Sequence, residues 1–351
     1  MKALVLEGNS NLKVSNVPNP KIKDDECLIK VKCAGICNSD IYRAFNNEAY
    51  FYPLIMGHEF SGVIKKVGNR VKDFKEGDRV VVFPLIPCNE CDFCKQKKYA
   101  QCLKYDYYGS RRNGAFAEYI AVKEWNLLKI PNSIGFEEAS LIEPIAVALH
   151  AVKKVKVSDN PNIAIIGAGL IGLIIAISLL EKNRNANIYV IDRNSDKLSF
   201  IKFTNVNTIL AKDNWVDEIL NLTQGVDTVF EVCGAVDTFK NSLKILKSHG
   251  QAIWVGNIVG DLLLGKALVS DILRREIAIK GVWNSKYLHD NNDDWHDAIK
   301  FLKRNKSIIQ KLITHKVRLN EGADLIKKLY LKKSKNNKKN TDTYIKGIFV
   351  V

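Results

Sequence analysis

Residues 162–172, NIAIIGAGLIG, continued by the apolar run LIIAISLL to Leu180, decide the fold. Ile163 to Ile166 is a short apolar run of strand length, Gly167-Ala168-Gly169-Leu170-Ile171-Gly172 is a G-x-G-x-x-G turn, and the residues beyond it read as a buried helix. The whole stretch approaches membrane-spanning length, but three glycines in its first half break it into strand, turn and helix.

That setting gives the glycines separate tasks. Gly167 permits the tight turn, Gly169 lets backbone approach a pyrophosphate, and Gly172 lets helix and strand pack closely. The helix N-terminus at Leu170 and Ile171 then faces the phosphates. Asp192 ends the next strand, Tyr189-Val190-Ile191, about twenty residues beyond Gly172, where a carboxylate binds both ribose hydroxyls and repels a 2′-phosphate. NAD is the expected cofactor. FAD or NADP could use the same loop, and Arg193 could accept the NADP phosphate.

Outward from this unit the rhythm of strand and amphipathic helix continues through Ile188–Ile191, Thr228–Glu231 and Ala252–Val255, which predicts a parallel sheet. Upstream, residues 1 to about 140 read as short strands broken by turns: Leu28–Cys33, Gly62–Val67, Asp78–Phe83 and Ala117–Val122. Downstream of Trp283 come a polar stretch, helices at Trp295–Arg304 and Gly322–Leu331, and a last strand, Ile345–Val351. These pieces cannot make a core alone. We therefore expect residues 1–144 and 284–351 to form one mostly-β catalytic domain, with 145–283 inserted as the nucleotide-binding domain and the chemistry in the cleft between them. The run Lys332 to Lys339, KKSKNNKK, reads as an exposed loop.

The chain has 351 residues, 46% hydrophobic and 26% charged, a globular composition that excludes disordered and fibrous classes. Its formal charge of +15 comes from lysines spread along the chain with no nucleic-acid-binding motif, so a solvated basic surface that steers anionic substrates is expected, and no nucleic-acid partner. The start, MKALVLEGNS, alternates as a strand does and lacks the apolar core of a secretory signal, so a cytoplasmic protein without membrane attachment is expected.

Of eight cysteines, four lie at Cys88-x2-Cys91-x2-Cys94-x7-Cys102. The residues between them are too polar to bury four unrelated thiols, and the spacing suits one tetrahedral Zn²⁺ that thiolates fill completely. Such a metal holds a loop and does no catalysis. An iron–sulfur cluster also suits four cysteines.

Elsewhere, Cys37 lies in Gly35-Ile36-Cys37-Asn38-Ser39-Asp40, and Gly57-His58-Glu59 follows Tyr52-Pro53-Leu54. Each is weak singly, since a lone cysteine or histidine is more often a core residue. Together with the cysteine lobe they resemble the medium-chain zinc dehydrogenase family, over essentially the whole chain. Within it, Leu141-Ile142-Glu143-Pro144 carries a glutamate where many alcohol dehydrogenases have a second cysteine ligand, a feature of the polyol branch. The stretches YPLIMGHEFSG (52–62), YYGSRRNGAFAEYI (107–120) and DILRREIAIKGVW (271–283) are similar to the branch's sugar-alcohol-phosphate members.

The resemblance implies a GroES-like catalytic domain and a Rossmann doubly wound α/β domain, two zinc ions and NAD. It makes Cys37, His58 and Glu143 ligands of a catalytic zinc, with Glu59 a nearby carboxylate that binds or exchanges with water. The metal would stabilise the alkoxide of a substrate hydroxyl while hydride moves to the nicotinamide. Ser39 matches the family's hydroxyl relay, Lys197 a position near the adenosine ribose, and Tyr42 stands where the relay of other members ends in histidine. A polyol or polyol phosphate is the expected substrate, with Arg111 and Arg112 as candidates for its phosphate. Sorbitol, threonine or butanediol would use the same metal chemistry. The apolar run Asp261–Leu264, near the end of the nucleotide domain where relatives pair edge strands, points to a homodimer or homotetramer. The set Cys37, His58 and Glu143 argues against a non-enzymatic nucleotide-binding relative.

Overall fold

The computed structural model describes residues 1–155, 159–202, 205–334 and 343–351. The chain divides into two compact units, residues 1–143 with 286–351, and residues 144–285.

The first unit is mostly strand. Its largest sheet has seven strands, and the one that matters most is Glu26–Ile36, which pairs antiparallel with Glu59–Val67, Tyr119–Lys123 and Lys346–Val350. Along it burial first alternates, as on a sheet with one wet face, and then becomes continuous from Cys33 to Ile36. The register sets Gly35 opposite Glu59 on one neighbour and opposite Ile348 on the other. The strand therefore ends between two partners drawn from distant parts of the chain. Beneath it lies an apolar core that includes Leu4, Ile29, Phe60, Ile64, Phe116 and Phe349.

The second unit is a six-stranded, all-parallel sheet. Its spatial order is Asn207–Leu210, Asn187–Asp192, Asn162–Ile166, Val226–Glu231, Leu246–Trp254, Ala278–Gly281. This is the doubly wound order, with the strand order reversing between Asn162–Ile166 and Val226–Glu231. The helix Leu170–Lys182 is apolar on every side and buried from Leu170 to Leu179 apart from Ile171. An all-round apolar helix needs cover on all faces. Among the described residues no helix is long and apolar enough to cross a membrane.

Several expected elements differ in the structure. The strand before the fifth crossover begins at Leu246, not Ala252, because a register shift with His249 at φ 60° carries the exposed residues Lys247 to His249 into it. Those polar residues hide the strand from a period-2 reading. A helix, Lys306–Leu312, and a strand, Ile313–Val317, fill what reads in sequence as featureless, the strand pairing parallel with Lys346–Val350. The last long helix runs Gly322–Ser334, so Lys332 to Ser334 belong to it, and residues 335–339 of the expected loop lie outside the described residues. Asp261–Leu264 is not a strand; the outer strand of the sheet is Ala278–Gly281, exposed at every position.

Candidate active site

Cys37 follows the end of strand Glu26–Ile36 and forms the N-cap of the helix Asn38–Phe45, with φ −85° and ψ 155°. Three residues on, Asp40 returns its Oδ2 to accept the Cys37 N–H at 3.0 Å, as the third helical residue of a capping box does. This local bond fixes how the chain turns from strand to helix at the thiol. Glu59 opens the neighbouring strand with His58 just before it, and the candidate ligand atoms of Cys37, His58 and Glu59 all lie within 4.8 Å of one another. His58 and Glu59 are 5% and 2% exposed, so neither is solvated by chance.

Asp40 is fully buried and lies 3.4 Å from His58 Nδ1 and 3.4 Å from an Arg43 nitrogen. A carboxylate on Nδ1 leaves Nε2 to face the thiol and carboxylate, the arrangement by which outer partners orient metal-bound imidazoles. Burial alone would raise Asp40, but His58, Arg43 and the Cys37 N–H hold it below the ordinary carboxylate range. Burial opposes charge on His58 too, yet Asp40 and Cys37 raise it well above its usual value. The pocket therefore favours positive charge at the imidazole.

Glu59 forms a buried ion pair with Lys346, whose ammonium also donates to the Ile36 carbonyl at 3.0 Å. A methyl group on Gly35 would sit 2.2 Å from Glu59 Oε2, so only glycine lets the carboxylate lie over that strand. Glu143 is the second residue of the helix Ile142–Lys153, where Pro144 in the first turn loses no hydrogen bond. It is 6% exposed, and burial, reinforced by Glu59, pushes it up to about 7 against the pull of His58. It is a neighbour of the Cys37, His58 and Glu59 cluster and not one of its three members.

Ser39 occupies the first turn of the Cys37 helix, half-buried, with Tyr42 one turn further on. Tyr107, from the short strand Asp106–Tyr107, turns its ring edge to His58 at 5.8 Å. Burial and the carboxylate of Glu143 keep its hydroxyl protonated far above the usual range. The sequence reading passed over Asp40, Arg43, Tyr107 and Lys346. Asp40 had a local signal, the spacing of a capping box. Lys346 had a fainter one, a lysine in an otherwise apolar last strand.

In the cysteine lobe the four sulfur atoms of Cys88, Cys91, Cys94 and Cys102 lie within 4.8 Å of one another, and none is in a disulfide. Cys91 to Cys94 is 3.6 Å and Cys88 to Cys94 is 3.9 Å between sulfurs. The edge of a ZnS₄ tetrahedron with bonds near 2.3 Å is about 3.8 Å, so the donors fit a closed zinc site. Backbone N–H groups of Leu103 and Cys94 favour the Cys91 thiolate, drawing it down to about 6, while burial pushes Cys94 up to about 12.

In the second unit, Gly167 has φ +118°, and a Cβ on Gly172 would lie 1.9 Å from the Gly167 carbonyl. Gly169, the N-cap of the helix starting Leu170-Ile171, faces open space. Asp192 accepts the Ala168 N–H at 2.8 Å and the Asn194 N–H at 2.9 Å, tying the ribose-side carboxylate to the glycine turn. Arg193 is exposed and Lys197 half-buried in the helix Ser195–Ser199 just after it.

The two arginines expected at a phosphate have different fates. Arg112 is held by Asp106 at 2.6 Å, which answers its charge within the protein. The Arg111 guanidinium carbon lies over the rings of Tyr50 and Tyr105, 4.5 Å from each centroid.

Residues 23–132 match the alcohol dehydrogenase GroES-like domain and residues 171–304 the zinc-binding dehydrogenase domain. The chain is 36% identical to galactitol 1-phosphate 5-dehydrogenase of Escherichia coli K12 over 90% of its length and 92% of that enzyme. It is 34% identical to sorbitol dehydrogenase of Bacillus subtilis, over 73% of the chain and 75% of that enzyme. The crystal structure of galactitol-1-phosphate dehydrogenase from Escherichia coli superposes over the full length of both chains with a TM-score of 0.88 at 32% identity. The motifs at Cys37, His58 and Cys88 to Cys102 thus sit in the fold they implied, and the chain belongs to the zinc-binding medium-chain polyol dehydrogenases, an oxidoreductase of the zinc-type alcohol dehydrogenase family.

Proposed function

We propose that the protein oxidises galactitol 1-phosphate to tagatose 6-phosphate with NAD, in the cytoplasm. The observation that carries this is the convergence of a half-buried thiol with a buried imidazole and carboxylate at Cys37, His58 and Glu59, with Glu143 beside them. It is supported by 36% identity to an enzyme of that name. Cys37, His58 and the carboxylates of Glu59 and Glu143 hold the catalytic zinc, and Cys88, Cys91, Cys94 and Cys102 hold the structural one. Bound there, zinc would supply a Lewis acid for the substrate hydroxyl, and bound NAD would supply the hydride acceptor.

The chain's own groups do the rest. Asp40 fixes the His58 ring, Lys346 restrains Glu59, and Ser39 passes the hydroxyl proton outward along the Cys37 helix. Gly167, Gly169, Leu170, Ile171 and Gly172 receive the pyrophosphate. Asp192 takes the ribose, with Arg193 and Lys197 at its rim. Two copies pair through the exposed outer strand Ala278–Gly281, and the same unit exposes Leu263 and Leu273 at 78% and 72%.

NAD reduction measured with galactitol 1-phosphate, galactitol, sorbitol, threonine and 2,3-butanediol tests the reading. Highest kcat/KM on galactitol 1-phosphate supports it, and preference for an unphosphorylated substrate overturns it. Sorbitol is the second reading, favoured by the 34% identity to a sorbitol dehydrogenase.

A further inference from the structure

A line of side chains in the first unit runs from the surface to the metal ligands. The Arg111 guanidinium carbon lies over the ring of Tyr50, which is 61% exposed, at 4.5 Å, and over the ring of Tyr105 at 4.5 Å. Tyr105 meets Tyr107 edge-on at 6.3 Å, and Tyr107 meets His58 edge-on at 5.8 Å. All but Tyr50 and His58 come from the segment 105–111, in which Tyr105 and Tyr107 lie two apart, one before and one in the short strand Asp106–Tyr107 that pairs with Leu85–Ile86.

The chemistry of this line is uneven in a telling way. A guanidinium packed against two rings is held in place while N–H groups of its planar fork remain for an oxyanion, which such a fork binds in bidentate fashion. The Arg111 hydrogen bond to the Tyr50 hydroxyl, at 3.3 Å, restrains it further. Among the described residues no carboxylate forms an ion pair with Arg111, whereas Arg112, Arg43, Arg70 and Arg275 each have one. Arg111 is exposed, but two ring contacts and one hydrogen bond already restrict its side chain, so less ordering remains on binding. At the other end, Tyr107 brings a hydroxyl to the edge of the metal cluster. Between them the tyrosines offer ring surface for the carbon chain of a sugar alcohol.

We propose that Tyr107, Tyr105, Arg111 and Tyr50 form a substrate gauge: Tyr107 faces the hydroxyl-bearing carbons next to the metal, and Arg111 receives the terminal phosphate of an extended polyol. This rests on the polyol-phosphate reading above and names the residues that select for it. Tyr105 and Tyr50 act as positioning residues for the Arg111 fork. A polyol that lacks the terminal anion leaves Arg111 unanswered, and one too short to span the gauge cannot reach it.

Inorganic phosphate is the first probe, tested as an inhibitor of whichever polyol the wild-type zinc-loaded enzyme oxidises. It is expected to compete with the polyol and not with NAD, with an inhibition constant at least about tenfold weaker in Arg111→Gln and weakened several-fold in Tyr105→Leu. The second readout is the ratio of kcat/KM for galactitol 1-phosphate over galactitol, expected to fall about tenfold in Arg111→Gln, through KM. Arg111→Lys, which keeps the charge but loses the planar fork, should recover only part of it. Equal phosphate inhibition of wild type and Arg111→Gln overturns the gauge. If phosphate competes through Arg111 but the wild type does not prefer galactitol 1-phosphate, the gauge stands and the galactitol reading falls. If that preference exists and survives in Arg111→Gln, the reading stands and the gauge falls.

Discussion

Asp40 lies 3.4 Å from the Nδ1 of His58 while also accepting the backbone N–H of Cys37. One fully buried carboxylate thus orients both a candidate imidazole ligand and the turn that presents a candidate thiolate. Replacing Asp40 with Asn keeps the shape and removes the charge. The expected result is zinc affinity about 10–100-fold weaker at the catalytic site, measured by chelator competition, with the second zinc retained. Unchanged affinity at both sites would remove Asp40 from the site.

The Lys346 pair with Glu59 predicts a non-additive stability effect. With the catalytic zinc removed, Lys346→Met leaves a carboxylate buried without its cation and should destabilise the fold by about 3–5 kcal/mol. Lys346→Met with Glu59→Gln should recover much of that loss, since no buried charge is then stranded. Denaturant unfolding of both variants and of Glu59→Gln gives the coupling directly; additive losses would mean that the two residues do not share a site.

Acid should release the catalytic zinc before it unfolds the protein. Glu143 is raised to about 7 by burial and Glu59, so below that value it carries a proton that zinc must displace, and the raised His58 adds a second. The sign follows for each state. Without metal, the raised Glu143 stabilises the fold most below its ordinary range, and that contribution is lost as pH rises towards about 7. Zinc affinity runs the other way, falling at least about tenfold per pH unit as pH drops below 7. Chelator titrations at pH 5.5, 6.5 and 7.5 check this, and a flat response contradicts it.

Removing one sulfur from the closed site separates the two metals. Cys94→Ser should lower bound zinc from two to one per chain and depress the melting temperature, because metal binding and folding of the 88–102 lobe are coupled. Metal analysis of the purified variant decides it. Two zinc ions retained in Cys94→Ser would mean that the lobe does not need its fourth thiolate.

Asp192 accepts the Ala168 N–H of the glycine turn, and the proposed NAD site assigns it the ribose. Asp192→Ser should weaken NAD and narrow the NAD over NADP preference by about tenfold or more, as the carboxylate that repels a 2′-phosphate is lost. Kinetics with each dinucleotide measure the ratio; an unaltered ratio would put discrimination on Arg193 or Lys197 instead.

What the amino-acid sequence determined by itself was whatever chemistry is local in the chain. The G-x-G-x-x-G turn at Gly167 to Gly172 and the four cysteines from Cys88 to Cys102 each carry their geometry within about fifteen residues, so spacing alone specifies turn and tetrahedron. Cys37, His58 and Glu143 were grouped only through family resemblance, because their spacing along the chain fixes no distance; the structure clusters Cys37 and His58 with Glu59 and leaves Glu143 beside them. Tertiary structure decided the rest. The register of Glu26–Ile36 between Glu59–Val67 and Lys346–Val350 brings Lys346 onto Glu59 from the far end of the chain. Pairing of this kind depends on which strands neighbour each other, which no local pattern encodes. The same holds for the two adjacent arginines: Asp106 claims Arg112, while Tyr50, remote in sequence, stacks on Arg111. Neighbours in sequence, they were equivalent until the fold gave them different surroundings.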